Sequence, residues 1–318
     1  MIVLANDGIS GKGVQLLKDS DITVLETRVS PEHLSNFIND NQVDVLLVRS
    51  ATQVRKNLID ECPNLKIIGR GGIGMDNIDV EYAIDKGIYI INTPKASCKS
   101  VAELVFAHFF SLARCLHDSN RLMPLEGETK FNALKKSYQN AVELSGKTLG
   151  VIGMGNIGIE VIKIGISLGM KILAYNRTSK TENIQLTFFD NQSLNFEIKS
   201  VTLDEVLKNS DFITMNIGKT KDYLIDYKEL EQMKDGVYIA NTARGGIINE
   251  VALIDAIENG KVAGAALDVF EKEPKPELEI LMNPALSLSP HVGGNTTDAQ
   301  NRIGEELAQQ IIKIKAQL

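Results

Sequence analysis

Thr148-Leu149-Gly150-Val151-Ile152-Gly153-Met154-Gly155-Asn156-Ile157-Gly158 is the stretch on which the fold turns. The run ending at Ile152 reads as a short β-strand, and Ile159 to Leu168 continues past the glycines with helical spacing. In such a strand–turn–helix, Gly153 permits the tight turn, and Gly155 lets the backbone approach a pyrophosphate. Gly158 lets helix and strand pack closely, and the helix N-terminus, with Asn156 and Ile157, presents free N–H groups to phosphates. A bare G-x-G-x-x-G is weak, since glycine turns are common. Here a second β-branched run, Lys171 to Ala174, follows at the spacing of a βαβ unit, and the pattern implies a bound dinucleotide.

The same alternation extends in both directions. Upstream, candidate strands are Ile2 to Leu4, Ile22 to Leu25, Val43 to Val48, Leu65 to Ile68 and Ile88 to Ile91. Helical stretches such as Pro31 to Asn39 and Asp79 to Lys86 lie between them. The series ends at the turn signal Asn92-Thr93-Pro94. A long helix is expected from Ser100 to His117, with Ser100 as N-cap and Glu103 in the capping-box position. Downstream strands are expected at Phe212 to Met215, Val237 to Ala240 and Ala263 to Leu267, and a closing helix at Thr297 to Lys315. Alternating apolar residues in Thr187 to Lys199 predict a hairpin excursion. Strands separated by helices predict an α/β chain with two Rossmann-like, doubly wound parallel sheets.

Composition agrees with that class and removes others. The chain has 318 residues, 43% apolar and 24% charged, enough to bury a core and too apolar for disorder. No run of 18 apolar residues occurs, and the N-terminus lacks the basic and apolar regions of a secretory signal, so a cytoplasmic location is expected. Thirty-four basic against 41 acidic residues give a net charge of −7, which argues against nucleic acid as the main partner and favours a small-molecule ligand. Cys62, Cys98 and Cys115 have no metal-ligand spacing, so no metal is expected.

About 20 residues past the glycines, where an acidic residue usually meets the adenosine ribose, stands Asn176-Arg177-Thr178. An Asp repels a 2′-phosphate and Asn does not. Arg177, with Lys180 nearby, could pair with that phosphate, so these residues alone favour NADP; alternatively Asn176 bonds the NAD ribose and Arg177 is simply solvated.

Three further motifs each follow a candidate strand of the second series. They are Asn241-Thr242-Ala243-Arg244-Gly245, Leu267-Asp268-Val269-Phe270-Glu271-Lys272-Glu273-Pro274 and Ser289-Pro290-His291-Val292-Gly293-Gly294. The carboxyl ends of parallel strands are where such folds bind ligands. Hydride transfer from a hydroxy acid needs a cation for the carboxylate, a base for the hydroxyl proton, and an acid partner that steadies the base. Arg244, His291 and Glu273 fit those tasks in that order. Singly, each residue type is more often structural, and His33, His108 and His117, within candidate helices, keep the structural reading.

Together the motifs GMGNIG, NTARGGIIN, LDVFEKEP and SPHVGG resemble those of the D-isomer-specific 2-hydroxyacid dehydrogenases, and the likeness spans the chain. The resemblance implies that Arg244 binds the substrate carboxylate, that His291 is the acid–base and that Glu273 supports it. It implies cofactor contacts at Ile73, Gly153, Gly155, Asn156, Ile157, Gly158, Asn176, Arg177, Ile217, Thr242, Asp268, Gly293 and Gly294. It also implies a discontinuous substrate domain, residues 1–97 and 292–318, with a nucleotide domain, 98–291, inserted in it.

Within the family the chain is most similar to the phosphoglycerate dehydrogenases, through Val48-Arg49-Ser50-Ala51-Thr52, Gly69 to Asp79, and His291 to Thr296 running into Ala299 to Arg302. A 3-phosphate needs its own cations, apart from Arg244. The likeness implies Arg49 and Arg70 for it, with Ser50, Gly71 and Gly72 against the substrate and Lys136 reaching a neighbouring subunit. The alternative for Arg49 and Arg70 is ion pairing with local carboxylates. NAD is the cofactor expected from the subfamily, although Asn176 departs from its acidic residue. Asn216-Ile217-Gly218 also lacks the family's His-x-Pro. A homodimer through the nucleotide domain is expected, exchanging the helix from Ser100 and the arm after it, without a regulatory domain after Leu318. The rival readings are an NADPH-dependent glyoxylate or hydroxypyruvate reductase and, in another class, a dinucleotide-sensing binding protein.

Overall fold

The computed structural model describes residues 1–318, and the chain divides into two compact units, Met1–Ser100 with Gly294–Leu318, and Val101–Gly293. In the first unit β1 (Ile2–Ala5), β2 (Thr23–Leu25), β3 (Val45–Val48), β4 (Ile67–Arg70) and β5 (Tyr89–Asn92) alternate with α1 (Gly11–Lys18), α2 (Pro31–Asp40), α3 (Lys56–Glu61) and α4 (Val80–Asp85). The sheet is parallel throughout, in the order β2-β1-β3-β4-β5. All four residues of β3 are buried, because helices cover both faces and leave no side for polar alternation. The order reverses between β1 and β3, and in sheets of this class the carboxyl ends of the strands flanking such a reversal are the usual place for a ligand. The closing helix, α12 (Thr297–Lys315), buries Ile303, Leu307, Ala308 and Ile311 with Val3, Val45 and Ile67 in this unit's core. Thr296 caps it by accepting the Ala299 N–H.

The second unit carries most of α5 (Cys98–Ala113), then α6 (Leu116–Ser137), β6 (Thr148–Ile152), α7 (Asn156–Ser167), β7 (Lys171–Tyr175), β8 (Thr181–Thr187), β9 (Ser193–Lys199) and α8 (Leu203–Asn209). It continues through β10 (Phe212–Met215), α9 (Tyr227–Gln232), β11 (Val237–Asn241), α10 (Glu250–Glu258), β12 (Val262–Leu267), α11 (Leu278–Met282) and β13 (Leu286–Leu288). Six of these strands form a second parallel sheet, β13-β12-β11-β10-β6-β7, whose order reverses between β6 and β10. The expected class, two doubly wound parallel α/β sheets, is therefore the observed one.

Three local expectations need correction. Ser100 does not cap α5. The Thr93-Pro94 turn feeds straight into the helix, with the Cys98 N–H donating to Lys95 O, and Ser100 lies inside it with its Oγ 2.6 Å from Thr296 Oγ1. Nor does that helix run to His117. It stops at Ala113, Cys115 takes a left-handed φ of 51°, and α6 starts afresh at Leu116. The hairpin begins at Thr181 rather than Thr187, pairing Thr181 with Lys199 and Ile184 with Phe196, so its apolar face covers part of the core. Strand β13, expected ahead of Ser289 but without bounds, covers Leu286–Leu288. It is a three-residue edge strand on β12.

Candidate active site

The glycine loop is fixed by sterics. Gly153 has φ +106°, and a Cβ there would fall 2.5 Å from Asn216 O at the end of β10. A Cβ on Gly158 would lie 1.9 Å from Gly153 O, so helix α7 can approach β6 only with glycine at that position. Gly155 is different. No protein atom comes within 4 Å of its Cβ position, and it is the N-cap of α7, which begins at Asn156, with no side-chain cap bond. A cradle that a side chain would fill, at a helix N-terminus, fits a pyrophosphate. Two buried polar atoms just past β10 and β11, Asn216 Oδ1 and Thr242 Oγ1, have no protein hydrogen-bond partner, as suits residues that would meet a dinucleotide. Ile217 packs against the Gly153 turn.

Asn176, at the end of β7, accepts the Met154 N–H at 3.3 Å and donates to Thr178 O at 2.9 Å. Its amide thus ties the glycine loop to the segment that follows β7. Arg177 is exposed, whereas Lys180 carries an ion pair with Glu182 at 2.8 Å and is not a free phosphate ligand.

Arg244, Glu273 and His291 all belong to the second unit. Arg244 follows β11, where Asn241 organises the turn by accepting the Ala243 N–H and donating to Arg244 O. The guanidinium is steadied by an Nη1 bond to Ala243 O. Gly245 lets this turn press on the next one, since a Cβ would lie 1.8 Å from Phe270 O. On that next turn Glu273 Oε1 accepts the Phe270 N–H at 3.0 Å, and Oε2 lies 2.8 Å from His291 Nδ1. Nε2 is then the nitrogen left to exchange a proton with a substrate.

The charges reinforce one another. Donating its Nδ1–H to Glu273 lifts the His291 pKa above its ordinary value, against burial and the Arg244 charge, which lower it. Burial pushes the Glu273 carboxyl up, but the bonds from His291 and Phe270 and the charges of His291 and Arg244 outweigh it, so its pKa falls. Arg244 therefore acts electrostatically on both members of the pair. His291 itself has φ +54°, a left-handed backbone that a non-glycine residue rarely adopts.

Asp268, inferred as a cofactor contact, is 1% exposed and spends its carboxylate on the loop that holds His291. It accepts from Ser289 Oγ at 2.6 Å, from Val292 N at 2.8 Å and from Gly293 N at 2.9 Å. Sequence reasoning missed Asn241, Ser289 and the pair Glu250 and Glu271, whose carboxylates each accept the other's backbone N–H and join the start of α10 to the Glu273 turn. An Asn ending a strand before a turn was the available signal for the first.

In the first unit Arg49 follows β3 and Arg70 ends β4. Asn77, buried, donates to Arg49 O and Thr52 O and accepts from Arg70 Nε at 3.1 Å, so one amide braces both arginine-bearing ends. Asp7 accepts the Arg49 N–H at 2.7 Å and both the N–H and Oγ1 of Thr52. Its charge supports Arg49, while burial pulls the guanidinium pKa down. Gly72, at φ +150°, leaves room for the Arg70 guanidinium, because a Cβ would lie 2.6 Å from Nη1. Gly71 donates to Val48 O, and Ser50 and Ile73 flank the two arginines in sequence. Gly294 lies against Ser97 in this unit. Lys136 is exposed in the last turn of α6.

The family described as D-isomer specific 2-hydroxyacid dehydrogenase, NAD binding domain, matches residues 106–293. The hydroxypyruvate reductase of Thermotoga maritima is 41% identical over 318 residues, covering 98% of this chain and 97% of that protein. The D-3-phosphoglycerate dehydrogenase of Bacillus subtilis is 35% identical over 316 residues, covering 98% of this chain and 56% of that one, so the chain spans little more than half of that relative. A solved glyoxylate reductase from Paecilomyes thermophila superposes with a TM-score of 0.80 at 29% identity, over 98% of this chain and 95% of that one. With the strand–glycine–helix cradle and the Arg–Glu–His group already in the coordinates, these likenesses make the chain a member of the D-isomer specific 2-hydroxyacid dehydrogenases, oxidoreductases that use a nicotinamide dinucleotide.

Proposed function

We propose that the substrate is 3-phosphoglycerate, oxidised at C2 in the cytoplasm as the opening step of serine biosynthesis. The observation that carries this reading is the pair Arg49 and Arg70, braced by the single amide of Asn77 at the carboxyl ends of neighbouring strands. A 3-phosphate adds charge beyond the carboxylate that Arg244 serves, and Arg49 and Arg70 are the cations this reading gives it. A nicotinamide dinucleotide would be held by Gly153, Gly155, Asn156, Ile157 and Gly158 with Ile217, Thr242 and Gly293 of the second unit, and would supply the hydride acceptor. In the oxidative direction His291 Nε2 takes the C2 hydroxyl proton, and Glu273 stabilises the resulting imidazolium. Arg244 fixes the plane of the carboxylate. The N–H groups of Gly71 to Ile73, with Ser50, orient the substrate, and Arg49 and Arg70 hold its phosphate.

We read NAD as the working cofactor. Asn176 adds no charge against a 2′-phosphate, so discrimination against NADP is expected to be weak. A homodimer through the second unit is also part of the proposal. In its support, α6 exposes Met123, Leu125 and Phe131 at 43%, 79% and 57%, and Lys136 lies on the same helix. No helix is long and apolar enough to cross a membrane.

A second reading, reduction of hydroxypyruvate or glyoxylate, is favoured by the 41% identity to the Thermotoga reductase. Steady-state assays with 3-phosphoglycerate, hydroxypyruvate and glyoxylate, each with both cofactors, separate the two. On the main reading Arg49→Ala raises KM for 3-phosphoglycerate about tenfold more than for hydroxypyruvate. Equal effects on both would leave the reductase reading.

A further inference from the structure

His108, on α5, has no part in the chemistry described so far, yet it is 6% exposed and both ring nitrogens are engaged. Nδ1 lies 2.8 Å from Ser287 Oγ and Nε2 3.0 Å from Ser289 Oγ. Both serines belong to the end of the chain's last sheet strand or the residues just past it. Ser289 Oγ in turn meets Asp268 Oδ1 at 2.6 Å. A carboxylate oxygen can only accept, so the Ser289 hydroxyl donates there, and its lone pairs face His108. His108 Nε2 therefore carries the proton, and Nδ1 of the neutral ring accepts from the Ser287 hydroxyl. Burial lowers the His108 pKa, against the charge of Asp268, and this agrees with a neutral ring.

The result is a directed chain: Ser287 O–H to His108 Nδ1, His108 Nε2–H to Ser289 Oγ, Ser289 O–H to Asp268 Oδ1. Asp268 then receives the N–H groups of Val292 and Gly293. Those two residues directly follow His291, whose φ of +54° is unfavourable for a side-chain-bearing residue and has to be held by its surroundings. The chain clamps the turn on both sides of His291, at Ser289 before it and at Val292 and Gly293 after it.

We propose that His108 is a positioning residue for the acid–base His291, acting through Ser289 and Asp268 to hold the left-handed turn in which His291 meets Glu273. This rests on His291 being the acid–base. Without the His108 donor, the Ser289 hydroxyl is free to turn from Asp268, and the turn can relax. His291 then loses its 2.8 Å contact with Glu273. The charged groups acting on His291 are Glu273, Asp268 and Arg244, and those acting on His108 are Asp268 and His117; Asp268 is the other carboxylate that raises the His291 pKa, but its oxygens are taken by Ser289, Val292 and Gly293, so it does not replace the Glu273 hydrogen bond.

The test compares wild type, His108→Phe, His108→Gln and His291→Ala, reading kcat and KM for the 2-hydroxy acid, Kd for NAD(H), Tm, and the pH dependence of kcat/KM for oxidation. His108→Phe is expected to lower kcat about 10- to 100-fold with cofactor Kd within twofold, as misplacement of a reacting group does. Its acidic limb is expected to move to lower pH, since His291 released from Glu273 loses the partner that raises its pKa. His108→Gln retains a donor toward Ser289 and should recover most of kcat and the wild-type limb. A lowered Tm with kcat and limb unchanged in His108→Phe would overturn the positioning role and leave a purely structural histidine. Should His108→Phe fail to fold, Ser289→Ala cuts the same chain and must give the same limb shift; an unshifted limb overturns the proposal. Full activity in His291→Ala would instead overturn the acid–base assignment, so the two failures are separable.

Discussion

Glu273 and His291 meet through Oε2 and Nδ1 at 2.8 Å, with the other oxygen of Glu273 pinned by the Phe270 N–H. The side chains are 36% and 44% exposed, so the pair contributes about 0–1 kcal/mol to stability, and its effect lies in proton affinity. His291 is held above its ordinary pKa by this contact. Oxidation needs it neutral and therefore rises with pH through that raised pKa, while reduction needs it protonated and falls over the same range. Glu273→Gln removes the cause, so both limbs are expected to move to lower pH, with kcat reduced. A pH series of kcat/KM in both directions checks the sign, and limbs that stay put would deny Glu273 its role.

His291→Ala removes the proton acceptor and leaves the dinucleotide cradle untouched. We expect kcat to fall at least about 100-fold, the usual size of a general acid–base contribution, with Kd for NADH unchanged in a fluorescence titration.

Gly155 and Gly158, three residues apart, should behave in opposite ways, because the first serves the ligand and the second the packing of the protein. Gly158→Ala forces a Cβ to 1.9 Å from Gly153 O and is expected to lower stability by roughly 1–3 kcal/mol, an overpacking cost, seen as a lower Tm. Gly155→Ala meets no protein atom within 4 Å, so its Tm should hold while Kd for NAD(H) rises about tenfold or more. Calorimetry beside cofactor titration distinguishes the two.

Asn176→Asp places a negative charge where a 2′-phosphate would lie. The expected outcome is a drop of about tenfold or more in kcat/KM with NADP and little change with NAD, measured with the same hydroxy acid. A variant that uses NADP as well as the parent would show that Asn176 does not govern the choice.

Asn77→Ala cuts three bonds made by one buried amide, to Arg49 O, Thr52 O and Arg70 Nε. It is expected to cost about 1–3 kcal/mol in the first unit, because buried partners are left unsatisfied. If the arginines hold a phosphate, KM for 3-phosphoglycerate should rise more than KM for hydroxypyruvate.

What could be read from the sequence was whatever local sterics dictate. Gly153 and Gly158 are required by backbone contacts a few residues away, and buried strands such as Val45-Leu46-Leu47-Val48 announce themselves by an unbroken apolar run. The motif that brings Arg244, Glu273 and His291 into one sheet end was legible for the same reason, since each follows a strand. Helix α6 was not, because several of its large apolar residues face solvent, Pro124 lies inside it, Lys130 kinks it with a non-helical φ of −122°, and its N-cap, Cys115, is left-handed. Strand β13 has only three residues and gains its identity from pairing with β12. Asn77, Asn241 and His108 owe their importance to partners that only the folded chain assembles, two of them on other elements. Ser100-x-x-Glu103 shows the converse: a sound capping signature overruled because the preceding turn had already started the helix.

The left-handed backbone at His291 carries a consequence for anyone engineering this enzyme. Glycine accepts that conformation without penalty, whereas a side-chain-bearing residue gives up about 1 kcal/mol to occupy it. A protein carrying His291→Gly should thus melt later than its parent and do nothing. Selection for heat resistance alone would reward the loss of the residue we assign as acid–base, so any such screen has to be run with turnover as a second gate.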